Sequence, residues 1–256
     1  NGAERVIISQ LHRTPGICFE AGKSTTNKTL YSYRIIPDRG SWMEVQYDNH
    51  DCIYIFMDRR RRRRKFLIST FLRAVYKESN RELLECVYGI QSETLASLAK
   101  DPENIAQKIL VDDISDDEGH LIGKSLEPLS TTIIDQLKGM GLKKIDVVDV
   151  SEIGSTFITN LEKDPTETRE EALKYIYKKM RPGDPPSIEN AEKLLDRLFF
   201  DMKSYDLGSV GRYKINQRLR EAFRRDNLEA PDMDARTLTA EDMIAATITV
   251  MKIKNT

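Results

Sequence analysis

The residues of this chain best equipped for chemistry are its consecutive cations. Arg59 to Arg64 and Lys65 follow an apolar run, Ile53-Tyr54-Ile55-Phe56-Met57, that reads as a buried strand. Adjacent positive charges repel one another, and salt screens that cost only in part. A polyanion removes the cost and adds the entropy of released counterions. The same run also reads as a solvated turn whose arginines pair with nearby carboxylates. A second basic group divides the same way. Arg212, Lys214, Arg218, Arg220, Arg224 and Arg225 suit either a nucleic-acid or subunit contact, or a solvated helix face.

Other candidate chemistry fails on spacing. Gly22-Lys23-Ser24 invites a phosphate-loop reading, but the glycine required five positions earlier is Ile17. The segment that follows, Thr25 to Tyr33, reads as strand rather than the helix that would hold phosphate at its N-terminus. Asp112, Asp113, Asp116, Asp117 and Glu118 lack the alternate spacing of a calcium loop and read as a solvated hairpin. His12, His50 and His120 have no partner at ligand or triad spacing, and no serine sits in a nucleophile elbow. The expectation is a chain with no catalytic residues, no metal site and no cofactor of its own.

Composition limits the rest. Lys+Arg is 40 and Asp+Glu is 41, so the net charge of −1 says nothing for nucleic acid, and clustering must carry that argument. Cys18, Cys52 and Cys86 are far apart with no CxxC, which fits reduced thiols in a cytoplasmic protein. No apolar stretch approaches the roughly 20 residues of a membrane span. Asn1 to Arg5 is not a signal peptide; lacking methionine and leading into Val6-Ile7-Ile8, it reads as a cut inside a longer chain or a processed start.

The elements that must position these residues are mixed. Residues 1–65 read as β-rich, with short strands in 30–36 and 43–57 separated by Pro37-Asp38-Arg39-Gly40 and Asp48-Asn49-His50-Asp51. The loop Asp38 to Ser41 presents Trp42. From Phe66 the spacing turns helical: Phe66, Leu67, Phe71, Leu72 and Val75, then Leu83, Leu84 and Val87. Ile109 to Ile114 and Leu121 to Leu126 flank a turn at 117–119. Ser130 caps a helix to about Met140, and Ile145 to Val150 returns as a strand. Thr168 with Glu171 predicts a capping box. Arg181-Pro182-Gly183-Asp184-Pro185-Pro186 stops that helix. Ser187 starts the next, and Thr239 with Asp242 starts a last one running near Thr256. The predicted fold class is α+β, strands early and helices late.

Five stretches together carry a resemblance. They are Ser9-Gln10-Leu11-His12-Arg13-Thr14-Pro15-Gly16, the segment Tyr31 to Trp42, Asp58-Arg59-Arg60-Arg61, the segment Met180 to Pro186, and Leu198-Phe199-Phe200 continued by Tyr205 to Asn216. In this order and near this spacing they resemble the lobe region of the bacterial DNA-directed RNA polymerase β subunit. The resemblance covers most of 1–74 and 155–256; residues 75–150 match loosely, where the family varies. It implies a lobe-like fold, with 1–16 a strand segment from the adjoining protrusion, 17–250 the lobe, and 251–256 the start of a return to the protrusion.

The resemblance also implies a role. The lobe helps hold downstream duplex and the non-template strand, while the catalytic magnesium of the parent polymerase sits on β′. Trp42 matches the residue that stacks on a displaced non-template base. Arg13, Arg181 and Asp58 match residues around a neighbouring base, and Arg59, Arg60 and Arg61 lie on the channel wall. Arg5, Ile8 and Gln10 match the edge of the rifamycin pocket. Implied partners are the remainder of β, the β′, α and σ subunits, and DNA, in a cytoplasmic, nucleoid-associated assembly without a membrane contact, the isolated piece being a monomer. The alternative is an assembly or factor-docking module without intrinsic DNA binding.

Overall fold

A computed structural model describes residues 2–57, 64–100, 104–116, 118–224 and 228–256. Five antiparallel strands form a sheet whose spatial order follows the chain: β1 (Gly16–Lys23), β2 (Thr29–Ile36), β3 (Met43–Tyr47), β4 (Ile53–Met57) and β5 (Lys65–Leu67). Side chains alternate across a strand, so one face can be buried and the other left to solvent. In β3 and β4, Met43, Val45, Ile55 and Met57 are buried, whereas Glu44, Gln46, Tyr54 and Phe56 are half-buried.

The helices cover the buried face. α1 (Ile68–Val75) starts later than the spacing predicts, because Phe66 and Leu67 pair with Ile55 and Tyr54 as β5. An apolar pair can serve either period, and the free edge of β4 decides for strand. α2 (Asn80–Tyr88) begins with a capping box from Ser79 and Glu82. After the middle of the chain come α5 (Thr156–Glu162), α6 (Arg169–Met180), α7 (Ile188–Leu195), α8 (Gly208–Arg218) and α9 (Ala240–Asn255).

In the core between them, Phe199 packs edge-on against Phe71 at 5.9 Å and Tyr205 at 6.1 Å. α9 is tied to the sheet by a bond between the Tyr33 and Thr247 hydroxyls at 3.1 Å. The buried Asn160 amide completes the edge of β4, accepting from the Ile53 amide at 3.0 Å and donating to its carbonyl at 2.8 Å.

Residues 91–149 build a unit with its own core. β6 (Gln91–Thr94), α3 (Leu95–Leu98), β7 (Lys108–Leu110), β8 (Ile114–Ser115), β9 (Leu121–Gly123), α4 (Thr131–Gly139) and β10 (Lys144–Asp149) follow in order. A three-stranded sheet, β6-β10-β7, packs Leu110 and Val147 against Ile134 and Leu137. The acidic run is the predicted hairpin: β8 pairs β9, and the Asp116 carboxylate closes the turn by accepting from the Glu118 and His120 amides.

The α+β class and its order stand. The predicted strand at the N-terminus does not form. Residues 2–14 hold no regular element and are exposed, and among the described residues no strand pairs with Val6-Ile7-Ile8 to satisfy its backbone groups. At the other end, α9 passes through Val250 and the fully buried Met251 without a break.

Candidate nucleic-acid interface

Strand register decides which candidates meet. Gly16 pairs with Ile36, Ile35 with Met43, and Met43 with Met57. All four strands therefore share one end of the sheet. Arg13 lies just before β1 starts there, Trp42 immediately before β3, and the segment opening with Asp58 follows the last residue of β4. Asp58, Arg59, Arg60 and Arg61 themselves fall outside the described residues. Arg64, the first described residue after them, donates to the Met180 carbonyl at the end of α6. The exposed Arg181 is the next residue, so the basic run's last arginine and Arg181 are neighbours.

Trp42 is held by its loop. Gly40 has φ of +128°, a conformation that side chains rarely adopt, and a Cβ there would lie 2.7 Å from the Tyr205 ring. Arg39 and Asp206 exchange backbone hydrogen bonds of 3.0 and 2.7 Å. Asp206 is fixed by Arg236, whose guanidinium donates to both carboxylate oxygens at 2.8 and 2.9 Å and holds its pKa below the ordinary range. Two distant motifs, Ile36 to Trp42 and Tyr205 to Gly208, thus form one corner. The first motif joins them: Pro15 packs on Gly211, Gly16 lies under Lys214, and Arg218 donates to the Ile17 carbonyl.

Three residues that motif reading missed complete the surface. Arg34 Nη1 lies 3.5 Å from Glu20 and Nη2 lies 3.2 Å from Glu44, and its guanidinium carbon sits 6.0 Å from the Trp42 ring centroid. Glu20 also receives Arg13 at 2.9 Å, a bond that raises the Arg13 pKa. The signal was the alternation of β2, which puts Arg34 opposite Tyr33 and Ile35 on the wetter face.

The second basic group divides. Arg212 is fully buried, donating to Asp242 at 2.7 Å, Ala235 at 2.8 Å and Thr237 at 2.6 Å, so its work is structural. Arg220 and Arg224 are exposed, and Arg225 lies outside the described residues. Arg5, Ile8 and Gln10 are exposed on the N-terminal segment, which holds no regular element. No helix among the described residues is long and apolar enough to cross a membrane.

Comparison with known proteins finds one family of relatives. The chain is 45% identical to the DNA-directed RNA polymerase subunit beta of Methylacidiphilum infernorum over 267 aligned residues, covering 99% of this chain and 20% of that protein. It is 41% identical to the subunit of the same name from Protochlamydia amoebophila, covering all of this chain and 20% of that protein. For Chlamydia muridarum the identity is 41%, over 96% of this chain and 19% of the relative. Over nearly its whole length the chain is similar to bacterial RNA polymerase β subunits. It spans about a fifth of the length of these β subunits. The family model described as RNA polymerase Rpb2, domain 2, matches residues 130–254, from the cap of α4 into α9. That stretch of the β-subunit sequence contains Arg181 and the Tyr205 corner, while the Trp42 sheet lies before it.

Proposed function

We propose that this chain is the non-catalytic lobe part of the polymerase β subunit, helping hold downstream duplex and the non-template strand during transcription. The carrying observation is the shared sheet end, where Arg13 and Trp42 emerge beside the start of the basic segment, with Arg64 and Arg181 adjoining. An aromatic plate accepts any base, and flanking arginines take phosphate. Within this reading Arg13, Trp42, Asp58, Arg59, Arg60, Arg61 and Arg181 are the DNA contacts. Arg5, Ile8 and Gln10 edge the rifamycin pocket. Residues 17–250 are the lobe, flanked by pieces of the protrusion. The magnesium chemistry belongs to β′; the remainder of β, β′, α, σ and DNA are partners, in a cytoplasmic, nucleoid-associated complex.

The test is the salt dependence of binding to a bubble-containing duplex. Replacing Arg59, Arg60 and Arg61 together by Ala should flatten the log–log slope by roughly two to three. An unchanged slope removes the run from the DNA footprint. A docking role without DNA binding is the second reading, favoured by Val210 and Tyr213, which are about half exposed on α8. Binding to the rest of the polymerase that is indifferent to DNA would select it.

A further inference from the structure

We propose that Arg34 is the positioning residue of the Trp42 stacking site, and that through Glu20 it couples Trp42 to Arg13. This rests on the reading of Trp42 as a base-stacking residue. Arg34 is an unusual guest on the wetter sheet face. Its side chain is only 12% exposed, set between two carboxylates, Glu20 and Glu44, and facing the indole. Its Nε is buried with no hydrogen-bond partner among the described residues. A guanidinium kept at the expense of one unsatisfied donor is held for its plane and its charge. The two carboxylates fix the plane by taking separate nitrogens, and the fixed cation attracts the electron-rich indole face.

The charges explain why Glu20 is tolerable beside a polyanion. Arg13 and Arg34 share its carboxylate, Arg13 from the exposed side and Arg34 from the buried side. When Arg13 turns to a phosphate, Arg34 stays and still offsets part of the Glu20 charge. Without Arg34, that turn would leave Glu20 with less compensating charge next to the incoming strand, and like charges repel strongly at short range. Arg34 thus holds Trp42 in the free protein and releases Arg13 for the bound one.

Trp42 is the sole tryptophan of the chain, so its fluorescence reports this site directly. In Arg34→Gln the expected result is weaker quenching by iodide, stronger quenching by cesium and lower anisotropy. Affinity for a single-stranded oligothymidylate should fall roughly two- to fivefold. In a Trp42→Ala background the share of that loss carried by the indole should vanish, leaving only the part due to Glu20. Arg34→Lys keeps the charge but not the fork, and should lower anisotropy while retaining iodide sensitivity. It is the deciding variant if Arg34→Gln does not fold. Unchanged Trp42 quenching and anisotropy in a folded variant overturns the proposal, whatever happens to DNA. If the parent chain binds no oligonucleotide, the functional reading fails and the fluorescence still decides the role of Arg34.

Discussion

At the scale of single residues, charge means opposite things in different places. Arg212 and Asp242 are both fully buried, and the guanidinium is surrounded by acceptors from 216, 235, 237 and 242. Removing one partner of such a pair leaves the other charged and without water. Asp242→Ala should cost about 3–5 kcal/mol in urea denaturation. It also breaks the Thr239 capping box of α9. A loss below about 1 kcal/mol, the range of exposed pairs, would mean that Arg212 finds another counter-charge. Nothing in a one-dimensional string separates Arg212 from Arg220: both are arginines in a basic stretch. Only the register of α8, which turns Gly211, Arg212 and Ile215 inward, tells them apart. Arg34 was hidden for the reverse reason, being a lone arginine in an apolar strand with its partners on neighbouring strands.

At the scale of elements, local signals read well wherever short-range chemistry decides. Ser130, Thr168 and Thr239 all cap their helices through the side chain, as spacing predicts. The proline-rich stop after Met180 also holds. At α6 the box is shifted: Thr168 receives the Glu171 amide, while the Glu171 carboxylate reaches the Glu167 amide at 2.9 Å. Ser187 precedes α7 without a side-chain cap bond. Elements fail to read where a distant partner decides. Phe66 and Leu67 became strand because β4 offered an edge, and Val6 to Ile8 stayed irregular because no strand among the described residues pairs with them. The Trp42 loop has the same dependence, since its shape is fixed by Tyr205 far along the chain. Gly40→Ala should therefore destabilise the fold by roughly 1–3 kcal/mol in chemical denaturation. A neutral substitution would show that the Tyr205 ring yields and that the corner does not set the loop.

At the scale of the whole molecule, two cores divide the work. The larger joins the first sheet to the C-terminal helices and includes Tyr33, Met43 and Met180, the chain neighbours of Arg34, Trp42 and Arg181. The smaller lies within 95–147 and shares no candidate contact residue. The motifs were legible as five separate strings, but sheet register and two close packings, Gly40 on Tyr205 and Gly211 on Pro15, gather them. That gathering is why the basic run no longer stands alone: its last arginine rests on α6 beside Arg181, and the aromatic plate and Arg13 share its sheet end. The most direct test compares single-strand binding by the parent chain and Trp42→Ala. The account predicts a loss of roughly 1–3 kcal/mol in binding with an unchanged melting temperature. Equal binding by the two proteins, or a large fall in melting temperature, would contradict it, showing that Trp42 is a bystander or a core residue rather than the surface on which a base rests.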